Sequence, residues 1–118
     1  MTNRERLRIL RATEEFAGVT TAELEDLLPF VDELSVPAGL RLAREGSFCH
    51  ELLIVAEGCL GTNGQNGCAM LGPGEAFGWN AMRIRGRNEA TVIAASPTHL
   101  LVMGHQQFRA VEALTRGA

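Results

Sequence analysis

The sequence predicts a mainly β fold with flanking helices, an antiparallel β-roll or jelly roll with one short helix set between strands. Three observations carry this. Apolar positions recur at helical spacing up to about residue 29 and again from about residue 105. Between these limits, short apolar runs alternate with glycine-bearing turns, as in β-sandwiches and rolls. The recurrence of such runs argues against a parallel sheet, whose strands alternate with crossover helices.

The first segment is helical. Leu7, Leu10 and Phe16 can share a face with Leu24, Leu27 and Leu28. Thr20 and Glu23 have capping-box spacing, so a helix starts at Thr21. Pro29 disfavours helical backbone at the residue before it and ends that helix near Leu28. From Phe30 the period changes. "FVDELSV" reads as a strand closed by a turn at Pro37–Gly39. Strands follow at Leu40–Ala43, Glu51–Ala56, Cys59–Thr62, Cys68–Leu71, Ala90–Ala95 and His99–Met103. Turns fall at Glu45-Gly46, Glu57-Gly58, Asn63–Gly67 and Gly72–Gly78, where glycine accepts backbone angles that other residues resist. Leu53, Val55, Val92 and Leu101 are the expected core of the roll. The tail returns to helical period, with Phe108, Val111, Ala113 and Leu114 as its apolar set.

Composition bounds the function. A chain of 118 residues with 46% apolar content suits one globular core. No apolar run nears the ~18 residues of a membrane span, and "MTNRERLRIL" lacks the apolar centre of a secretion signal. The net charge of −3 gives no general nucleic-acid footprint. Cys49, Cys59 and Cys68, an odd set without a CxxC pair, read as reduced, partly buried thiols in a cytoplasmic protein. His50, His99 and His105 are too scattered for a metal site. Ser47 and His50 form a chance pair without the context of a nucleophile, so the chain reads as non-enzymatic. Charge is segregated: Arg4, Arg6, Arg8 and Arg11 lead, acids alone follow from Glu14 to Glu33, and Arg83, Arg85 and Arg87 form a second basic cluster.

"GPGEAFGWNAM" (72–82) has the form of a tight turn feeding a short helix, whose first N–H groups suit an anion. Taken with the order of elements, the chain from about Leu10 to Leu114 resembles the cyclic nucleotide-binding domain family. "ELLIVAEGCLG" resembles the family's strand and glycine turn, and "LGPGEAFG" the approach to its phosphate-binding cassette. The family pattern there reads FGE, LAL, a short loop, then PR, a small residue, Ala and Thr. This chain reads "FGW", "NAM", the loop "RIRG" and "RNEAT" at unbroken spacing.

The resemblance implies one unit over 1–118: N-terminal helices (1–29), a β-roll (30–104) with the cassette at 72–91, and a C-terminal helix (105–118). Phe77, Gly78, Ala81, Ala90 and Thr91 match the pattern. Trp79 stands at the glutamate that grips the ribose 2′-hydroxyl and Asn80 at the next leucine. Arg87 takes the proline position, Asn88 that of the arginine that binds the cyclic phosphate, and Glu89 that of the small residue. The implied ligand is cAMP, cGMP or another small anion, bound weakly or not at all. Loss of a buried charge's partner costs ~2–5 kcal/mol, and each ~1.4 kcal/mol is tenfold in affinity. Trp79 is expected to fill the emptied pocket rather than stack on a base, and Asn88 to bond nearby backbone. Arg83, Arg85 and Arg87 form either an anion or acidic-partner site or a solvated loop. The implied role is a regulatory or sensor module. The alternatives are a structural or interaction domain that kept the fold and lost the ligand, or the regulatory part of a larger protein. Implied partners are a small-molecule effector and a protein or a second copy. Nucleic acid is not expected for this chain alone, because no helix-turn-helix follows.

Overall fold

The computed structural model describes the backbone of residues 1–116 and the side chains of residues 1–114. It begins with α1 (Asn3–Ala12), a 3-10 turn (Glu14–Phe16), α2 (Thr21–Leu27) and a second 3-10 turn (Leu28–Phe30). Strands β1 (Asp32–Val36), β2 (Arg41–Ala43), β3 (Glu51–Glu57), β4 (Leu60–Gly64), β5 (Gly67–Leu71) and β6 (Ala76–Phe77) follow. Then come α3 (Trp79–Ile84), β7 (Ala90–Ala94), β8 (Thr98–Gly104) and α4 (His105–Arg116). All strand pairs are antiparallel, in two sheets of order β1-β8-β3-β6 and β2-β7-β4-β5. The sheets keep free edges and do not close into a barrel.

Local chemistry sets the helix ends. The Thr20 hydroxyl accepts from the Glu23 amide while the Glu23 carboxylate accepts from the Thr20 amide, the expected capping box. The Thr20 amide and hydroxyl both donate to the Glu23 carboxylate, which favours its ionised form and holds it below its ordinary value. The Thr2 hydroxyl caps α1 by accepting from the Glu5 amide.

Two apolar layers enclose the first sheet. One face packs against the second sheet through Val36, Leu53, Val55, Leu100 and Val102, which meet Leu60, Val92 and Ala94. The opposite face carries Leu52, Ile54, Leu101 and Met103, which meet Leu10, Phe16, Leu24 and Phe108 of the helical layer. β3 is thus covered on both sides, which explains why "LLIVA" is apolar without alternation. The expected core residues Leu53, Val55, Val92 and Leu101 are all buried.

Four local expectations are corrected. Phe30 is not in a strand: it ends the second 3-10 turn, is exposed, and precedes β1 by two residues. Arg83 and Ile84, read as loop, are the last residues of α3, because the helix continues until Arg85 turns left-handed. Ala113 is exposed, and the inward position beside Val111 belongs to Glu112, whose carboxylate pairs with Arg109 at 2.9 Å. Cys68 is exposed on edge strand β5, whereas Cys49 is buried and Cys59 half-buried. Residues 117–118 of the expected final helix lie outside the described residues.

Gly58 shows where the fold demands a glycine. Its φ is +90°, and an added Cβ would lie 2.5 Å from the Pro97 carbonyl oxygen and 2.9 Å from the Thr98 Cα. Both obstacles are backbone. Gly58→Ala is therefore expected to cost more than the ~1 kcal/mol of left-handed backbone strain alone. Urea denaturation followed by circular dichroism measures this, and a loss below that value would contradict the close approach.

Candidate functional site

The candidate site is built on the turn 72–78 and the helix it feeds. The Gly74 amide donates to the Val55 carbonyl (2.8 Å), and the Val55 amide donates to the Glu75 carbonyl (3.0 Å). β6 then pairs with β3, Phe77 opposite Leu53. Gly78 has φ +106°, and an added Cβ would lie 3.0 Å from the Glu51 carbonyl oxygen and 3.3 Å from Cys49 Sγ. The turn therefore presses on the start of β3, and glycine is needed for both conformation and space. The Met82 amide donates to the Gly78 carbonyl (2.8 Å) and closes the first turn of α3.

Trp79 opens that helix. Its ring meets Phe16 edge-on at 5.8 Å and Phe108 at 5.1 Å, with interplanar angles of 80° and 74°. These are favourable quadrupole geometries. The ring joins three segments: the 3-10 turn after α1, α3 and α4. At the other end of α3, the Arg109 guanidinium donates to the Met82 and Arg83 carbonyls while pairing with Glu112. A cation at a helix C-terminus satisfies orphan carbonyls and complements the dipole. α4 therefore holds α3 at both ends.

The remaining positions are dispersed. Ala81 is buried, and Asn80 is exposed. Asn88 is buried: its Nδ2 donates to the Arg44 carbonyl (3.1 Å) and its amide to the Ser47 carbonyl (2.8 Å). The Arg87 guanidinium donates to the Gly46 carbonyl (2.7 Å) and stacks on Phe48, 4.3 Å from the ring centroid. Arg87 and Asn88 thus serve the same neighbouring turn through different contacts. Ala90 and Thr91 begin β7, and the Thr91 hydroxyl accepts from the Glu45 amide.

Two cavities flank Phe77. One, of about 180 Å³, is lined by Glu15, Ala76, Phe77, Gly78, Trp79, Asn80, Ala81 and Glu89. The other, of about 70 Å³, touches Leu42, Phe48, His50, Glu51 and Asn88. Both are smaller than the ~300–1,000 Å³ of ordinary small-molecule pockets. The acidic residues among their linings are Glu15, Glu89 and Glu51, and among the described residues no arginine lines either cavity. Phe16 and Phe108 were legible only as core residues. Glu15 and Arg109 gave no sequence signal, because their roles arise from segments brought together by folding.

A second constellation lies on the first sheet. Ser35 Oγ is 2.7 Å from His99 Nδ1, and His99 Nε2 is 3.5 Å from Glu33. Glu33 also faces Arg6 and the N-terminal amine, and Arg6 reaches the Leu28 and Val31 carbonyls. Neither Ser35 nor His99 lines the two cavities beside Phe77. The set fastens the start of α1 to β1 and the turn before it.

A two-sheet roll with a glycine turn, a short helix and a covering C-terminal helix defines a class of regulatory ligand-binding domain. This chain belongs to the cyclic nucleotide-binding domain family, whose model matches residues 33–113. No curated protein matches the chain by sequence comparison. Among solved structures it is similar to the regulatory domain of Toxoplasma gondii PKA crystallised with cAMP. Identity there is 28% and the TM-score 0.84, over 96% of this chain and 46% of that one. A cyclic nucleotide-binding-like protein from Brucella abortus is 25% identical with a TM-score of 0.74, over 91% of this chain and 97% of that one. The sensor domain of the regulator DNR from Pseudomonas aeruginosa shares the fold at 20% identity, with a TM-score of 0.74, over 98% and 83% of the two chains. The chain therefore spans less than half the length of the Toxoplasma protein. No helix among the described residues is long and apolar enough to cross a membrane.

Two outcomes follow. Trp79→Ala should cost about 3 kcal/mol, the lower end for large aromatics because the ring is only half-buried. A loss under ~1 kcal/mol in urea denaturation would contradict this packing of the ring on Phe16 and Phe108. Burial pushes the Cys49 thiol up, against a smaller opposing effect of the Glu51 backbone. Thiolate is the reactive form, so Cys68 should label first with a disulfide reagent at mildly alkaline pH and Cys49 only on unfolding. Mass spectrometry of the labelled peptides reads the order, and early labelling of Cys49 would refute it.

Proposed function

We propose that the chain is a non-catalytic regulatory module with an altered cassette at 72–91, whose affinity for cAMP and cGMP is weak or lost. One observation carries this: the described residues lining the cavities beside Phe77 include Glu15, Glu51 and Glu89 but no arginine to meet a cyclic phosphate. Like charges ~4 Å apart repel by ~4 kcal/mol at an effective dielectric of 20. Asn88, at the position of the family's arginine, is neutral and committed to the Arg44 carbonyl. Arg87, one residue away, is held on Gly46 and Phe48 and lines neither cavity. Trp79, at the position of the family's glutamate, offers the ribose no carboxylate.

A second reading, an interaction domain that kept the fold and lost the ligand, is favoured by the packing of Trp79 on Phe16 and Phe108. In both readings the chain is one domain, works in the cytoplasm with reduced thiols, and acts with a protein partner or within a larger regulator.

Thermal melting with cAMP tests the proposal. A millimolar dissociation constant at ~1 mM ligand stabilises by only ~0.4 kcal/mol, so little shift is expected. The triple variant Trp79→Glu, Asn88→Arg and Glu89→Ala restores the family residues. It should melt lower without ligand, since the ring packed on Phe16 and Phe108 is gone, and gain more from cAMP than the unaltered chain. Micromolar cAMP binding by the unaltered chain would overturn the proposal. A restored variant that folds but gains nothing would show that the fault lies outside these three residues.

A further inference from the structure

From the exposed end of α3 we infer a docking surface for an acidic, partly apolar segment of a partner protein. The surface consists of Arg83, Ile84, Arg85 and Arg87, with Phe48 beneath Arg87. Ile84 is 71% exposed and Phe48 54% exposed. Among the described residues, none of these three arginines is in an ion pair, whereas Arg6 and Arg109 pair with Glu33 and Glu112. The tip thus concentrates three positive charges on a chain of net charge −3.

The backbone singles out the same place. Arg85 has φ +54° and is the one non-glycine residue with positive φ among the described residues. Helix ends normally place glycine at such a position. Here Gly86 follows one residue later, and the strained position keeps a guanidinium. Backbone strain of this kind clusters where side chains are held for binding.

Charge complementarity selects the partner. Arg87 is pre-oriented: one Nη donates to the Gly46 carbonyl at 2.7 Å and the guanidinium plane rests on Phe48. A fixed planar fork matches a carboxylate, and less ordering entropy is lost on binding. Ile84 adds an apolar contact between charges. An anionic membrane fits less well, because three arginines and one aliphatic side chain fall short of the two signals that stable anchoring needs. A long nucleic acid would also meet the acidic remainder of the chain. A short segment touches the tip alone. The surface does not depend on the nucleotide reading, and its test contains no nucleotide.

The probe is a panel of fluorescein-labelled twelve-residue peptides in which a leucine is flanked by glutamates at different spacings. Fluorescence anisotropy with the full chain measures binding between roughly 0.05 and 0.5 M salt. At least one spacing should bind. Replacing Arg83, Arg85 and Arg87 with glutamine should weaken it about ten-fold at low salt, as three exposed pairs of modest strength sum to. Ile84→Ser should weaken it about three-fold at both salt levels, as loss of a small apolar contact does. Melting of both variants near the parent temperature shows that they fold. No binding by any peptide, or equal binding by the triple glutamine variant, would overturn the inference. So would arginine-dependent binding seen only with phosphatidylserine vesicles or only with duplex DNA.

Discussion

Trp79 stands edge-on between Phe16 and Phe108, and the arrangement of the helical layer follows from that contact. From its place on α3 the ring touches α4 and the 3-10 turn after α1, within a cluster that also holds Ala81, Met82 and Val111. Aromatic pairs in this geometry contribute ~0.5–1.5 kcal/mol beyond their burial. The six-residue α3 is too short to persist on its own propensity. It is held by the ring at its first residue and by the Arg109 guanidinium at its last carbonyls. Gly78 permits this by letting the turn press on Glu51 and Cys49.

The same contact constrains function. Trp79 is occupied in packing, Asn88 is bonded to backbone, and Arg87 is held outside both cavities. Asn88 and Arg87 both bond the segment Arg44–Ser47, so the two loops beside α3 form one hydrogen-bonded unit. What is left open beside Phe77 is small, with Glu15, Glu51 and Glu89 among the lining residues. The outward face of the same unit carries the unpaired guanidinium groups. Acidic residues thus stand among the linings of the two cavities, and exposed arginines stand outside them.

Much of the fold was legible because the signals are local. The capping box at Thr20 and Glu23 is a contact between residues three apart. The change of period after the first helices marks the start of the roll, and the uninterrupted apolar run in β3 marks a strand covered on both faces. The errors were also local in kind. A 3-10 turn carried Phe30 out of its strand, and α3 extended into a loop because nothing in "RIRG" forbids helix before Gly86. Edge position, which decides that Cys68 is exposed and that Leu34 is half out, is a property of sheet order and not of sequence pattern. The site was legible only in outline. The spacing placed Trp79 and Asn88 at their positions, but the neighbours that define their chemistry come from distant segments. Glu15 and Phe16 precede them by a whole helical layer, and Phe108 and Arg109 follow after two strands.

A double-mutant cycle between Trp79 and Phe108 tests the central contact most directly. Each residue is replaced by alanine singly and together, and unfolding in urea is followed by circular dichroism, since Trp79 is the chain's one tryptophan. A direct edge-to-face contact predicts a coupling energy of ~0.5–1.5 kcal/mol, with the double variant losing less than the sum of the single losses. Additive losses, within ~0.3 kcal/mol, would show that the two rings act independently and that α4 is held to the cassette by something else.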